Sequence, residues 1–148
     1  VETEKTYRNN WVYTGDLGYL DEDGFLYFVG RKKDIIRRSG ENISAVEIEN
    51  IIMSHPKVME AAAIAVPDDI RDEEVKVYVV LTEGETPESV PPEEIISWCS
   101  ERLAKFKIPR YLEYRDSLPK TATQKIVSRK KAQSKDQVKP PNPKRPRT

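Results

Sequence analysis

Three short stretches of the 148-residue sequence gather glycine and polar side chains beside otherwise apolar segments. They are Tyr13-Thr14-Gly15-Asp16, then Gly30-Arg31-Lys32-Lys33-Asp34 running on to Gly40-Glu41-Asn42, and Leu118-Pro119-Lys120-Thr121-Ala122-Thr123-Gln124-Lys125-Ile126. Each holds residue types that could do chemistry. A carboxylate such as Asp16 presents two acceptors to two donors, and a compact ammonium on a flexible stem, such as Lys125, can follow negative charge as it redistributes. A glycine such as Gly40 lets the backbone approach a narrow ligand closely. Each also has an ordinary reading. Asp16 could bond its own backbone in a Thr-Gly-Asp turn, Gly40 could serve a turn before a helix, and Arg31, Lys33 and Lys125 could be solvated surface charges.

Other chemistries find less to work with. His55, the only histidine, ends an apolar helical face before Pro56 and reads as a helix-end residue, not a general base. Cys99, the only cysteine, cannot form an internal disulfide and reads as a core thiol. Nothing resembles a zinc site or a Ser/His/Asp nucleophile system, so no metal-ligating residue is assigned.

The elements that must position these residues follow from pattern. Residues 17–20 and 25–29, LGYL and FLYFV, flank Asp21-Glu22-Asp23-Gly24, which predicts a β-hairpin closed by the glycine. Ile35-Ile36 then leads into a polar loop, residues 37–42. Ser44 with Glu47 three residues on spells a capping box, and Ile48, Ile51, Ile52 and His55 follow at helical spacing, which predicts a helix of about three turns. Two strands are expected from Val58 to Val66 and from Val75 to Leu81. A second helix opens at Pro91-Pro92-Glu93-Glu94 with Ile95, Ile96, Cys99 and Leu103 on its buried side, and a short strand runs from Tyr111 to Tyr114. Lys105-Phe106-Lys107-Ile108-Pro109 reads as a turn with solvated lysines. Together these give an α+β fold, a small mixed sheet with helices packed on it, preceded by the hairpin.

In their order and spacing the three stretches resemble the late motifs of the adenylate-forming superfamily of acyl-CoA synthetases, luciferases and peptide-synthetase adenylation domains, over nearly all of residues 11–130. Ser39-Gly40-Glu41-Asn42-Ile43 leading into Glu47-Ile48-Glu49 looks more like the acid–CoA ligase branch. The resemblance implies an AMP-forming ligase that joins an acid to CoA through an acyl-adenylate, with ATP and CoA as substrates and the Mg2+ of ATP held by a large N-terminal domain. It implies that residues 1–32 are the terminal hairpin of that domain and that residues 33–130 are the mobile C-terminal cap; residues 131–148, beyond the resemblance, read from composition as a separate tail. In those terms Asp16 chelates the ribose hydroxyls of AMP and Arg31 contacts the same ribose. Lys33 is the hinge, Gly40 lines the tunnel for the pantetheine arm of CoA, and Lys125 bridges carboxylate and nucleotide during adenylation. The sequence departs from the usual Ser-Gly before that lysine, carrying Thr123-Gln124.

Composition bounds the rest. The six glycines form no phosphate-binding loop, so the chain is expected to be inactive alone and to act with the large domain of the same enzyme, on acyl-adenylate and CoA. A non-catalytic binding or regulatory module that keeps the cap fold is the alternative. The formal net charge is zero, but residues 129–148 carry eight Lys/Arg against one Asp, which leaves the rest acidic. That tail is proline-rich and expected to be disordered, and without aromatics to stack bases it predicts no specific nucleic-acid binding. With no long apolar run and no leader pattern, a soluble cytoplasmic protein without a transmembrane segment is expected.

Overall fold

The computed structural model describes residues 7–9 and 11–120. Two small antiparallel pairs come first: β1 (Tyr7–Arg8) with β2 (Trp11–Val12), and β3 (Asp16–Leu20) with β4 (Leu26–Arg31). The second pair is the expected hairpin. Its turn closes because the Asp21 carboxylate accepts the N–H groups of Asp23 and Phe25 at 3.0 and 2.9 Å, while Gly24 takes φ +84°. Tyr19 and Tyr27 stand opposite each other and stack at 5.1 Å.

The five-stranded sheet comprises β5 (Ile35–Arg38), β6 (Glu41–Ser44), β7 (Val58–Asp68), β8 (Asp72–Leu81) and β9 (Tyr111–Tyr114). Its order is β6-β5-β8-β7, and β9 lies beside β8 as well. All pairings are antiparallel except β8 with β9. A parallel pair needs a crossover, and helix α2 (Pro92–Ser100) lies in that connection, while α1 (Ala45–Met53) joins β6 to β7. The mixed sheet with two helices is the α+β arrangement expected from the pattern.

The core forms because both helices bring an apolar stripe to one face of the sheet. Ile48 and Ile52 of α1 and Ile95 and Cys99 of α2 are buried in one cluster with Val75, Val77, Val79, Ala61 and Ala63. Ile96 is only partly buried, so the stripe of α2 is narrower than its sequence suggests. The opposite face is not left to water. Ala62, Ile64, Tyr78 and Val80 form a second cluster with Leu118. Edge strand β7 has an outward N–H at Ala63, and the buried Glu49 of α1 accepts it at 2.9 Å.

Several local expectations need correction. The polar stretch 37–42 is no loop: it is most of the β5–β6 hairpin, whose two turn residues, Ser39 and Gly40, have φ +51° and +82°. Positive φ at both central residues is the two-residue turn that matches strand twist. The capping box does not form. Ser44 has N-cap backbone angles but its hydroxyl donates to the Val29 carbonyl at 3.0 Å, and Glu47 instead holds Lys107 at 2.8 and 2.9 Å. Lys107 is therefore ion-paired, on a 3-10 turn over Lys105–Lys107, and not simply solvated. A tertiary partner has replaced the local backbone N–H in each case.

His55 is buried at the junction of the two helices. Its Nδ1 accepts the Lys57 N–H at 3.2 Å, its Nε2 lies 3.2 Å from Glu94, and its ring and that of Trp98 meet in a T-shaped arrangement with centroids 4.9 Å apart. The Trp98 indole N–H in turn donates to the Ile51 carbonyl at 3.0 Å, satisfying an acceptor in the last turn of α1. His55 thus sits just past the end of α1, close to the helix-end position read from the sequence, and it is buried there.

Candidate functional site

Asp16 opens β3 and Arg31 closes β4, and the register of the hairpin sets them directly opposite each other. Arg31 Nε lies 3.7 Å from Asp16 Oδ1, with the side chains 65% and 41% exposed. An exposed pair at that distance contributes about 0–1 kcal/mol. Fold stability is thus a poor reason for it, and both side chains face solvent where a ligand could reach them. The turn before Asp16 is closed by other groups: Thr14 Oγ1 accepts the Asp16 N–H at 3.3 Å, and the Gly15 carbonyl, at φ +78°, accepts from Lys32 N–H at 2.8 Å. The Asp16 carboxylate is consequently directed at Arg31 and not consumed by its own turn.

Lys33 is exposed and lies in a 3-10 turn, Lys32–Asp34, between the end of β4 and the start of β5. It therefore occupies the link between the hairpin and the five-stranded sheet. The hairpin is also joined to the sheet near Gly30, where Ser44 bonds Val29 and a Cβ on Gly30 would come within 3.2 Å of the Ser44 hydroxyl.

Gly40 is at the exposed tip of the β5–β6 hairpin, at φ +82°. A Cβ there would meet nothing within 4 Å, so conformation and not space demands glycine from this chain alone. The four residues of β5, about 13 Å at ~3.3 Å each, separate this tip from the Lys33 turn. Asp16, Arg31 and the Lys33 turn thus lie at the open end of the β3–β4 hairpin, and Gly40 lies beyond the far end of β5. Lys125 lies outside the described residues.

Sequence reasoning missed a buried charge cluster beneath the Gly40 tip. Glu74 is fully buried among Arg38, Arg71 and Arg110. Only Arg71 is local to Glu74, which sits in an ordinary strand, and Arg38 and Arg110 are each 36 residues away. Cys99 and Tyr114, by contrast, behave as inert core groups. Burial pushes the Cys99 thiol up to about 11, and burial with Glu94 and Glu93 pushes the Tyr114 phenol to about 12. Among the described residues no three or more His, Cys, Asp or Glu gather as a metal site, and no helix is long and apolar enough to cross a membrane.

Comparison with known proteins identifies the family and the fold. Residues 47–125 match the model of the AMP-binding enzyme C-terminal domain. The crotonobetaine/carnitine–CoA ligase of Salmonella arizonae is 50% identical over 121 residues, covering 82% of this chain and 23% of the relative. That of Proteus mirabilis is 47% identical over 128 residues, 86% of this chain and 24% of the relative. The chain thus spans about a quarter of the length of the relatives it matches. Among solved structures, the o-succinylbenzoate CoA synthetase of Bacillus subtilis in complex with its acyl-adenylate intermediate superposes with a TM-score of 0.77 at 39% identity, over 90% of this chain and 26% of that one. An anthranilate CoA ligase in complex with anthranoyl-AMP gives 0.80 at 35% identity, again over 90% and 26%. With the family match covering more than half of its residues and acyl-CoA ligases as its relatives, the chain belongs to the AMP-binding enzyme C-terminal domain family.

Proposed function

We propose that this chain is the C-terminal part of an AMP-forming acid–CoA ligase, which converts acid, ATP and CoA to acyl-CoA, AMP and diphosphate through an acyl-adenylate. The observation that carries the proposal is the Asp16–Arg31 pair: an exposed carboxylate and guanidinium set opposite each other at the hairpin's end, beside the Lys33 turn. Two carboxylate oxygens match the two hydroxyls of a ribose, and a planar guanidinium beside them adds donors to its ring and bridging oxygens. Residues 1–32 then belong to the large preceding domain, residues 33–130 to the cap, and residues 131–148 to a tail. The exposed apolar residues of the hairpin, Leu26 and Phe28 among them, support a covering partner of that kind.

In this reading the cap works in two orientations about Lys33. In one, Lys125 carries its ammonium to the acid and the nucleotide and stabilises charge that develops in adenylation. In the other, the Gly40 tip lines the path of the CoA pantetheine, where the backbone's lack of a side chain allows close approach. ATP with its Mg2+ and the acid are assigned to the preceding domain, which also sets the acid's identity.

The test is a chimera in which this chain replaces the matching quarter of the Salmonella ligase. It should form acyl-CoA from that enzyme's acid, ATP and CoA. A well-folded chimera that releases no pyrophosphate and forms no thioester, beside an active parent, would overturn the proposal.

A further inference from the structure

The cluster around Glu74 takes no part in the roles assigned above. A fully buried carboxylate is strongly unfavourable unless it is paired and hydrogen-bonded. Glu74 Oε2 accepts from Arg38 Nε at 2.7 Å, and Oε1 accepts from Arg71 Nη1 at 2.9 Å and Arg110 Nη1 at 3.2 Å. Burial pushes the Glu74 carboxyl up, but its bonds and charge pairing with Arg38, then with Arg71 and Arg110, outweigh this and hold it below its ordinary range. A buried ion cluster is weak evidence for global stability, since well-packed apolar groups often serve a fold as well.

What the cluster does locally is more specific. Arg38 is the last residue of β5, so its backbone is the root of the Ser39-Gly40 tip. Its side chain grips Glu74 with Nε and the Phe106 carbonyl with Nη1 at 2.8 Å. Two more bonds fasten the same root: the Ser39 N–H donates to the Arg71 carbonyl at 3.0 Å, and the Arg37 N–H to Glu73 Oε2 at 2.7 Å. The tip itself is exposed and belongs to a hairpin whose outer strand, β6, is at the sheet edge. Without these fastenings a two-residue turn at an edge would move readily.

We propose that Glu74 is a positioning residue for thioester formation: by holding Arg38 and Arg71 it fixes the Ser39-Gly40 tip in the place the CoA arm must pass. This rests on the role of Gly40 given under the proposed function. A displacement of about 1 Å in a positioning element can lower a rate by ~10²-fold, whereas adenylation uses the other orientation and does not need the tip.

Two variants test it. Glu74→Gln keeps the shape and removes the charge, and Arg38→Lys keeps the charge and loses the fork. In the isolated chain, amide exchange at Ser39 should quicken about tenfold or more in each, with Val77 and Val79 unchanged. In the chimeric ligase, KM for CoA should rise about tenfold or more while acid-dependent pyrophosphate release stays constant. Unchanged Ser39 exchange in both variants overturns the proposal, as does equal loss of protection at Val77 and Val79 in both, which would make the cluster a brace for the whole sheet. An unmodified chimera that makes no thioester overturns the ligase reading and this proposal with it. An active chimera whose KM for CoA moves in neither variant overturns the proposal alone.

Discussion

Against the five-stranded sheet Ile48 and Ile52 of α1 are fully buried, whereas in the β3–β4 hairpin Leu26 is 73% and Phe28 63% exposed. Both regions are rich in large apolar residues, and only one of them covers its own. The sheet has two helices on one face and Leu118 against the other, with an edge N–H capped by Glu49. The hairpin has good local chemistry, including the Asp21 turn and the Tyr19–Tyr27 stack, but among the described residues no layer covers its aromatic residues. Local signals can thus shape a hairpin that packing does not complete. The same asymmetry leaves the exposed Asp16–Arg31 pair on the uncovered region.

The largest expected effect separates the two regions by truncation. Ile52→Ala should lower the stability of the isolated chain by about 2–5 kcal/mol, through lost burial and the cavity left behind. Phe28→Ala should change it by less than about 0.5 kcal/mol. Urea unfolding of both variants gives the comparison, and a large loss from Phe28→Ala would show that the hairpin belongs to the core after all.

Acid should act on the sheet region through Glu74. Its folded carboxyl is held below the ordinary range by the arginines, burial notwithstanding, so its contribution to stability is present above the unfolded value and is lost as pH falls through the folded one. The urea midpoint should therefore fall as pH drops from about 5 toward about 2, and this slope should shrink in Glu74→Gln. A Glu74→Gln slope as steep as that of the unmodified chain would remove the carboxylate from the account.

A smaller effect, of opposite sign, is expected at the β7–β8 turn. Asp72 has φ +65°, a left-handed setting that disfavours residues with a Cβ, although Asp tolerates it better than most. Asp72→Gly should raise stability by about 0.5–1 kcal/mol, read as a higher melting temperature. A loss would mean that the Asp72 side chain has a use that outweighs its strain.

Much of this architecture was legible in the sequence because its signals were local. The Asp21–Gly24 turn, the helical spacing of Ile48, Ile51 and Ile52, and the prolines at the start of α2 each act within a few residues. The errors share one cause. Residues 37–42 look like a loop because Arg37, Arg38, Glu41 and Asn42 are polar, yet Arg38 is drawn into the interior by Glu74, a partner no local pattern reveals. Ser44 and Glu47 spell a cap that tertiary partners, Val29 and Lys107, take apart. Within the site, the opposition of Asp16 and Arg31 required only the hairpin register, whereas the fastening of the Gly40 tip from β8 and Phe106 required the folded chain.

The most direct test of the proposed two-orientation ligase separates the half-reactions in the chimera. Lys125→Ala should slow acid-dependent pyrophosphate release by about 10²–10³, the usual loss when a group aimed at developing charge is removed. Thioester formation from preformed acyl-adenylate should barely change. Lys33→Pro, which fixes φ at the link between hairpin and sheet, should do the reverse and slow the thioester step while leaving adenylation in place. Equal slowing of both steps by Lys125→Ala, or no slowing of either by Lys33→Pro, would contradict the alternation of one cap between two reactions.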